Sequence, residues 1–323
     1  MKNNVVFLFP GQGAQYQGMA LDFLGTGSAA IRKLFDTASA ACERDMEALL
    51  RDSDADTLKR TDISQPTVTL ANLAAATYLT EQGYSPAACA GFSLGEYAAL
   101  VCAGVISAED CFRLVKARGI AMQRSADLLQ EKAGGDLSAA PGMAAVLGLS
   151  PQEAEALIAQ WSAAGLTDLY AANINSPKQL AISGTAAALT EAETRFKEAG
   201  AKRVIRLQVA GPFHCPLLAD AAEAFRPALE AVTFNDPKIP LYSNVTGKRV
   251  DSGEESKKLA LRQITSPVRW VDEEAAIISA GGFSACLEAG PGKVLQGLWR
   301  DFGSDIPCLA AGTVEDTGKI DNQ

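Results

Sequence analysis

Histidine is the scarcest catalytic residue type in this chain, because its 323 residues include only one, His214. The seven cysteines show no regular spacing and no C-x-x-C pair, so we expect neither a metal centre nor a disulfide framework. Reduced thiols are typical of a cytoplasmic protein, and we predict that location. If the chemistry requires an imidazole base, only His214 can supply it.

Basic residues and long apolar runs are also scarce. The net charge at pH 7 is -9, whereas a general nucleic-acid binder needs an excess of Lys and Arg. No stretch approaches the roughly 18 apolar residues of a membrane-spanning helix. The apolar run Val5–Phe9 is too short for a signal peptide. We therefore expect neither nucleic acid nor a membrane as a partner.

The composition that remains, 48% hydrophobic and 21% charged, is that of a globular protein with a large core. Short apolar runs alternate with helical patterns, which predicts an α/β fold. We predict an α/β-hydrolase-like large subdomain with a parallel central sheet, residues 1–137 and 209–323. A ferredoxin-like subdomain, residues 138–208, is predicted as an insertion because its elements follow the order β-α-β-β-α-β.

Element patterns also give specific expectations. The low-complexity segment Glu131–Pro141 is predicted as a loop and a domain boundary, and the polar tail after Gly312 is predicted to be loose. Strands are predicted at Val5–Phe9, Ala87–Phe92, Met143–Leu149, Leu169–Ile174, Gln179–Ser183, Val204–Val209, Ile239–Ser243 and Ala285–Glu288. Helices are predicted at Ile31–Leu50, Thr67–Leu79, Glu96–Cys102, Ala108–Gln123, Pro151–Ala164 and Ala186–Ala199.

The pentapeptide Gly91-Phe92-Ser93-Leu94-Gly95 matches the frame G-x-S-x-G between a predicted strand and a predicted helix. This frame places a serine hydroxyl on a tight turn, where small neighbours leave it exposed to a substrate. A serine that only caps a helix would explain Ser93 but not the two glycines. Ser93 is therefore a candidate nucleophile, and it needs a base within hydrogen-bond reach.

A second glycine-rich turn, Gly11-Gln12-Gly13, follows the first predicted strand. Phosphate binding is one interpretation, but the segment lacks the Lys-Ser/Thr of a P-loop and the spacing of a dinucleotide fingerprint. An oxyanion role fits better, since a second backbone N–H has to converge on the carbonyl oxygen from another loop.

Nine ordered blocks across nearly the whole chain make it similar to malonyl-CoA:acyl-carrier-protein transacylases and to the acyltransferase domains of polyketide synthases. The blocks are Phe9–Gln15, Ser64–Pro66, Gly91–Tyr97, Val101–Ile106, Arg118–Gly119, Asn173–Pro177, Phe213–His214, Ser266–Trp270 and Glu288–Leu295. The resemblance implies a ping-pong acyltransferase that moves malonyl from malonyl-CoA to the phosphopantetheine thiol of acyl carrier protein. It implies no cofactor and no metal, and we expect a monomer.

The same resemblance implies roles for individual residues. Ser93 would attack the thioester, with His214 as its base. The backbone N–H groups of Gln12 and Leu94 would hold the oxyanion. A main-chain carbonyl at Gln263, rather than an acid, would orient the histidine. Binding of the substrate is assigned to Arg118, Gln65 and Asn175.

Arg118 would make the site specific for a charged acyl group, because a planar guanidinium binds a carboxylate through two parallel hydrogen bonds. Without the resemblance, an arginine on the surface of a helix is the better interpretation. Phe213, directly before the histidine, is consistent with selection of malonyl over methylmalonyl. Phe92 departs from the family, which usually has histidine there, and this change could alter acyl selection or rate.

Three questions stay open from sequence. An acyl hydrolase acting on carrier proteins, or a non-catalytic subunit that docks them, would share this fold. The pathway, fatty-acid or polyketide synthesis, is also undetermined. The basic stretch from Arg195 to Arg206 is a hypothetical docking surface for the acidic carrier or the CoA phosphates, although a solvated helix face explains it equally well.

Overall fold

The fold was taken from a computed structural model, which describes residues 2–135 and 139–321. Its strands are β1 Val5–Phe9, β2 Pro86–Gly91, β3 Gly142–Leu147, β4 Leu169–Ser176, β5 Gln179–Gly184, β6 Arg203–Arg206, β7 Leu241–Ser243, β8 Lys248–Val250, β9 Ala285–Glu288 and β10 Cys308–Ala310. Its first seven helices are α1 Leu21–Gly25, α2 Ala29–Cys42, α3 Met46–Asp52, α4 Ala55–Lys59, α5 Thr61–Glu81, α6 Gly95–Cys102 and α7 Ala108–Lys132. The later helices are α8 Pro151–Ala163, α9 Ala186–Glu198, α10 Ala219–Glu230, α11 Gly253–Arg262, α12 Trp270–Ala280, α13 Val294–Phe302 and α14 Val314–Ile320, with short 3₁₀ turns at Pro216–Leu218 and Gln263–Thr265.

Six strands form the central sheet in the order β10-β9-β1-β2-β7-β8. All neighbours are parallel except β7 and β8. Alternate residues of β1 pack into two different apolar clusters, Phe7 into one and Leu8 into the other. Burial on both faces is characteristic of parallel sheets covered by helices, and it explains why β1 reads as an unbroken apolar run.

The register of β1 and β2 positions the site. Phe9 at the end of β1 pairs with Gly91 at the end of β2. Because parallel strands end at the same edge of a sheet, the loop after β1 and the turn after β2 emerge side by side. The Gly11–Gly13 loop and the Ser93 turn are therefore neighbours although about 80 residues separate them in sequence.

A second sheet of four antiparallel strands has the order β4-β5-β3-β6. With α8 and α9 it follows the chain order β-α-β-β-α-β, and it has its own apolar cluster. The predicted fold class is thereby confirmed: an α/β molecule with a parallel-dominated central sheet and a separate ferredoxin-like sheet. The predicted boundary at 137/138 lies outside the described residues, and the boundary at 208/209 stays a prediction.

The structure corrects several element predictions. The predicted helix Ile31–Leu50 is two helices, α2 and α3, separated at Glu43, which adopts a left-handed conformation with φ 55°. Pro66 lies inside α5 rather than before it, and the burial of the turns around it stabilises the helix despite the missing N–H.

The predicted end of the helix that begins at Ala108 and the predicted loose tail after Gly312 were also wrong. Helix α7 continues to Lys132, nine residues past the predicted end at Gln123, so the start of the predicted loop Glu131–Pro141 is helical. Residues 136–138 of that loop lie outside the described residues. The tail after Gly312 is not loose as far as 321, because α14 forms there and buries Ile320 to 1% exposure. Within the described chain, no helix is long and apolar enough to cross a membrane.

Candidate active site

The turn that carries Ser93 is held in a conformation that few residues tolerate. Ser93 itself has φ 50°, a left-handed value that is costly for a residue with a side chain. A Cβ on Gly91 would lie 2.1 Å from the carbonyl carbon of Gly95, and a Cβ on Gly95 would lie 2.0 Å from the oxygen of Phe9. Both glycines of the motif are therefore required by close backbone approach.

Ser93 and His214 are in direct contact. The Ser93 Oγ lies 2.7 Å from the His214 Nε2, and the His214 Nδ1 lies 2.9 Å from the carbonyl oxygen of Gln263. Because a carbonyl can only accept, Nδ1 carries the proton and Nε2 is left to accept from the serine hydroxyl. This is the tautomer that a general base for Ser93 needs.

The loop that carries His214 is also strained and is anchored by the second sheet. His214 has φ 58°, and the carbonyl of the preceding Phe213 accepts a hydrogen bond of 2.5 Å from the Ser183 hydroxyl on β5. The ferredoxin-like sheet therefore fixes the position of the base, while the central sheet fixes the position of the serine.

Burial, together with repulsion from the nearby Arg118 guanidinium, lowers the pKa of His214 to about 4. The hydrogen bond to the Gln263 carbonyl opposes this shift. At neutral pH the imidazole is therefore uncharged and able to accept a proton.

Arg118 is the most unusual group at the site, because its guanidinium is 1% exposed and has no ion-pair partner among the described residues. One terminal nitrogen donates to Gln263 Oε1 at 3.0 Å, and the guanidinium carbon lies 5.5 Å from the centre of the Tyr97 ring. The Nε has no hydrogen-bond partner. A buried cation with no carboxylate in direct contact is costly, so this arrangement favours binding of an anion.

A cavity of about 510 Å³ connects these groups. The polar residues Gln12, Ser93, Arg118, Asn173 and His214 line it, together with the apolar residues Phe92, Leu94, Met122, Met143 and Phe213. The cavity thus brings the candidate nucleophile, its base and the buried Arg118 guanidinium to a single space with mainly apolar walls, which Lys59 and Arg60 also line.

Not all predicted site residues face this cavity. Gln65 is buried in α5, where its Nε2 lies 3.4 Å from the Met122 sulfur, and it is absent from the described lining. Asn175 is also absent from the lining, whereas Asn173, two residues earlier on β4, is present. The substrate-binding roles of Gln65 and Asn175 stay predictions.

The remaining predicted residues line the cavity or lie directly behind it, and their roles stay predictions. Gln12 and Leu94 line the cavity from the two adjacent loops, which is the placement expected for two converging N–H groups. Phe92 lines it as well, and its ring packs edge-on against Trp270 with centroids 5.6 Å apart. Gln263 is completely buried and lies behind both His214 and Arg118.

A buried polar network behind the turn was not found from sequence. Gln263 Nε2 lies 2.7 Å from Glu96 Oε2, and the backbone N–H of Asn244 donates to the same oxygen at 3.1 Å. The Asn244 side chain in turn donates to Glu273 at 2.7 Å. The only sequence signal was that Glu96 belongs to the block containing Ser93, since local patterns do not reveal contacts between residues 96, 244 and 273.

The two carboxyl groups in this network resist ionisation. Burial raises the pKa of Glu96 to about 7, while hydrogen bonds from Asn244 and Gln263 and the charge of Arg118 limit the rise. Burial also raises the pKa of Glu273 well above its usual range, and the negative charge of Glu96 adds to that shift. Burial therefore disfavours ionisation of both carboxyl groups, and Glu96 is the one whose negative charge the Arg118 guanidinium favours.

The chain matches the family described as acyl transferase domain over residues 6–307. It is 38% identical over 295 residues to the malonyl CoA-acyl carrier protein transacylase of Escherichia coli K12, covering 91% of each chain. Its structure superposes with a TM-score of 0.88 on an acyl-carrier-protein S-malonyltransferase from Burkholderia pseudomallei, at 35% identity and with all of both chains covered.

A third similarity is to PlMCAT in the holo PlMCAT:AntF complex, described as a type II PKS acyl-carrier protein with its malonyl-transacylase. The TM-score is 0.87 at 33% identity, covering 99% of this chain and 100% of that one. The fold and the serine-histidine site define an acyltransferase. The chain belongs to the acyl transferase domain family.

The depressed pKa of His214 gives a testable pH dependence. Because the base is neutral above about pH 4, the rate of Ser93 acylation should not fall through an inflection near pH 6.5 as the solution is acidified. We would measure kcat/KM between pH 5 and pH 8. An inflection of kcat/KM near pH 7 that disappears in Glu96→Gln reports the Glu96 carboxyl. An inflection near pH 6.5 that persists in Glu96→Gln would report His214 and contradict its lowered pKa.

Proposed function

We propose that this acyltransferase moves the malonyl group from malonyl-CoA to the phosphopantetheine thiol of acyl carrier protein through a malonyl-Ser93 intermediate. The observation that carries the proposal is Arg118. It is buried, lines the same cavity as Ser93 and forms no ion pair with another described residue. A free carboxylate on the acyl group would supply the missing charge and could accept two parallel hydrogen bonds.

In the first half-reaction, Ser93 Oγ attacks the thioester carbon while His214 Nε2 takes the hydroxyl proton. The backbone N–H groups of Gln12 and Leu94 hold the oxygen that becomes negative. The carbon–sulfur bond then breaks, and the imidazolium returns its proton to the CoA sulfur. The products are malonyl-Ser93 and free CoA.

In the second half-reaction, His214 takes the proton of the carrier thiol, and the sulfur attacks the ester carbon of malonyl-Ser93. The carbon–oxygen bond breaks and Ser93 recovers its proton from the imidazolium. No redox step or metal is needed, so we propose that the enzyme requires no cofactor. The mainly apolar wall of the cavity favours thiol attack over hydrolysis, because it limits the access of water.

The relatives support both partners. The Escherichia coli protein is a malonyl CoA-acyl carrier protein transacylase, the Burkholderia pseudomallei protein is an acyl-carrier-protein S-malonyltransferase, and the PlMCAT:AntF complex contains a carrier protein. We propose the same partners for this chain, acting as a monomer in the cytoplasm. Both fatty-acid and polyketide synthesis supply carriers of this kind.

Two rival functions fit the structure less well. A hydrolase that clears acyl groups from carrier proteins has no use for a buried arginine that forms no ion pair and lines the cavity of the nucleophile. A docking subunit without activity has no use for a serine hydroxyl 2.7 Å from an imidazole nitrogen of the right tautomer.

Intact mass measurement tests the intermediate. Wild-type protein incubated with malonyl-CoA should gain one malonyl group, and Ser93→Ala should gain none, because the hydroxyl is the only acceptor proposed. Transfer to carrier protein should follow when the adduct is mixed with it. Absence of the adduct in the wild type, an undiminished adduct in Ser93→Ala, or rapid hydrolysis of acetyl thioesters without malonyl transfer would reject the proposal.

Arg118→Lys tests the carboxylate site. Lysine keeps the charge but cannot form the two parallel bonds, so kcat/KM for malonyl-CoA should fall about 100-fold, the cost of losing one or two charged hydrogen bonds. The preference for malonyl-CoA over acetyl-CoA should fall in proportion. Arg124→Lys on the exposed side of the same helix is the control. An unchanged preference in Arg118→Lys would exclude Arg118 as the carboxylate ligand.

The structure distinguishes the residues of the basic stretch from Arg195 to Arg206 by their contacts. Arg206 donates to the Ala186 carbonyl and to the Thr190 hydroxyl on α9. Arg195 and Lys197 form ion pairs with Glu191 and Glu193 on the same helix. Lys202 and Arg203 are exposed and form no ion pair with another described residue. They lie five and four residues before Leu207, where the segment 207–210 that lines the cavity begins. We propose that these two residues contact the acidic carrier protein.

Reversing both charges, Lys202→Glu with Arg203→Glu, should raise the KM for carrier protein about tenfold or more at low salt, because two attractions become repulsions. The rate of Ser93 acylation by malonyl-CoA should not change. The control is Lys33→Glu with Lys248→Glu, an equal change of net charge at exposed positions on α2 and β8. Equal losses in both half-reactions would refute the docking role.

A further inference from the structure

Asn244 reaches the nucleophile turn from the neighbouring strand. It follows the end of β7, which is parallel to β2, and it is completely buried. Its Oδ1 accepts a hydrogen bond of 2.6 Å from the Ser93 backbone N–H. Its Nδ2 donates to the Gly91 carbonyl at 2.7 Å. The side-chain amide of Asn244 therefore links the Gly91 carbonyl to the Ser93 N–H, the backbone groups on either side of Phe92.

The turn needs such support because Ser93 adopts φ 50°. A residue in this region persists only where its surroundings hold it there. The other backbone group of Ser93, its carbonyl, accepts from Gln263 Nε2 at 3.0 Å. Side chains from two separate segments thus hold the N–H and the carbonyl of the strained residue.

The orientation of the Asn244 amide is fixed by its other partners. Nδ2 also donates to Glu273 Oε1 at 2.7 Å, and Oδ1 accepts from Gln263 Nε2 at 3.2 Å. If the amide were rotated by 180°, its NH₂ would face the N–H of Ser93 and its oxygen would face the Gly91 carbonyl. Each donor and acceptor of this side chain is matched in only one orientation.

Asn244 does not line the cavity, so it acts on the chemistry through the residues that it holds, and its shortest bond to them, at 2.6 Å, is with Ser93. We propose that Asn244 is a positioning residue of the acyltransferase: its side-chain amide holds the backbone of the nucleophile turn and thereby aligns Ser93 Oγ with His214 and sets the direction of the Leu94 N–H. The expected effect on malonyl transfer rests on the proposed function. The expected effect on the reactivity of the Ser93 hydroxyl does not.

The first test is Asn244→Ala. A displacement of Ser93 Oγ from His214 by up to about 1 Å should lower kcat for malonyl transfer about 100-fold. The KM for malonyl-CoA should stay the same, since Arg118 is held by Gln263 and Tyr97 instead. The rate at which phenylmethylsulfonyl fluoride inactivates the protein should fall with kcat, because that reagent reports Ser93 without using the carboxylate site.

Asn235→Ala is the matched control, since Asn235 donates its side-chain amide to the Val105 carbonyl at 3.3 Å, away from the cavity. It should retain kcat and the inactivation rate. If Asn244→Ala folds and keeps kcat, or loses kcat while its inactivation rate is unchanged, the positioning role is wrong.

Asn244→Asp gives a second readout if the alanine variant does not fold. The aspartate keeps an acceptor for the Ser93 N–H, but only its protonated form can donate to the Gly91 carbonyl. Glu96 and Glu273 face this position, and Arg118 lies beyond Gln263. Because these groups are present in the variant and in the wild type, the quantity to measure is the ratio of the two kcat values at each pH. The ratio should fall as pH rises; a ratio independent of pH between 5 and 9 would overturn the proposal.

The outcome is separable from the proposed function. If wild-type protein forms no malonyl adduct, malonyl transfer is rejected. The inactivation rates of Asn244→Ala, Asn235→Ala and wild type then still decide whether Asn244 positions Ser93.

Discussion

The close approach of the Ser93 turn to the end of β1 is the constraint on which the site depends. Gly95 lies so near the Phe9 carbonyl that no side chain fits between them. This contact brings the first residues of α6 against the loop that carries Gln12. Because two N–H groups from different loops have to converge on one oxygen, the backbone contact comes first and the oxyanion site is its consequence.

Gln263 takes the place that an acidic residue has in a serine-histidine-aspartate triad. Its carbonyl orients His214, while its side-chain oxygen accepts from Arg118 and its side-chain nitrogen donates toward Glu96. A carboxylate at this position would pair with Arg118 and neutralise it. The backbone carbonyl of Gln263 orients the base, and its neutral side-chain amide leaves the positive charge of Arg118 available to the substrate, so the same residue serves both catalysis and specificity.

Sequence alone was enough for the parts of the site that local patterns encode. The G-x-S-x-G frame predicted the turn at Ser93, and the scarcity of histidine predicted its base before any contact was known. The family blocks predicted which helix carries Arg118 and which residue lies behind His214. The β-α-β-β-α-β order predicted the second sheet, because each of its strands and helices has a clear local period.

What sequence could not provide depends on contacts between distant segments. Asn244 and Glu273 have no motif of their own, and their burial against Glu96 follows only from the pairing of β7 with β2. The same reason explains the errors in α5 and α14, where tertiary burial outweighs a proline and a polar tail. The substrate-binding roles of Gln65 and Asn175 were predicted from the family blocks that contain them. Such a block does not show which side chains face the cavity, and a strand or helix presents only some of its residues to it.

Phe92 shows how the scarcity of histidine and the chemistry of the site are connected. Its ring packs on Trp270 and forms part of the cavity wall beside Ser93. A histidine there would place a second titratable imidazole next to the nucleophile, whereas phenylalanine leaves His214 as the only group of that type. The apolar ring also lowers the local polarity, which strengthens the attraction between Arg118 and a bound carboxylate. The departure from the family pattern therefore leaves the proposed chemistry intact and makes the wall next to the serine more apolar.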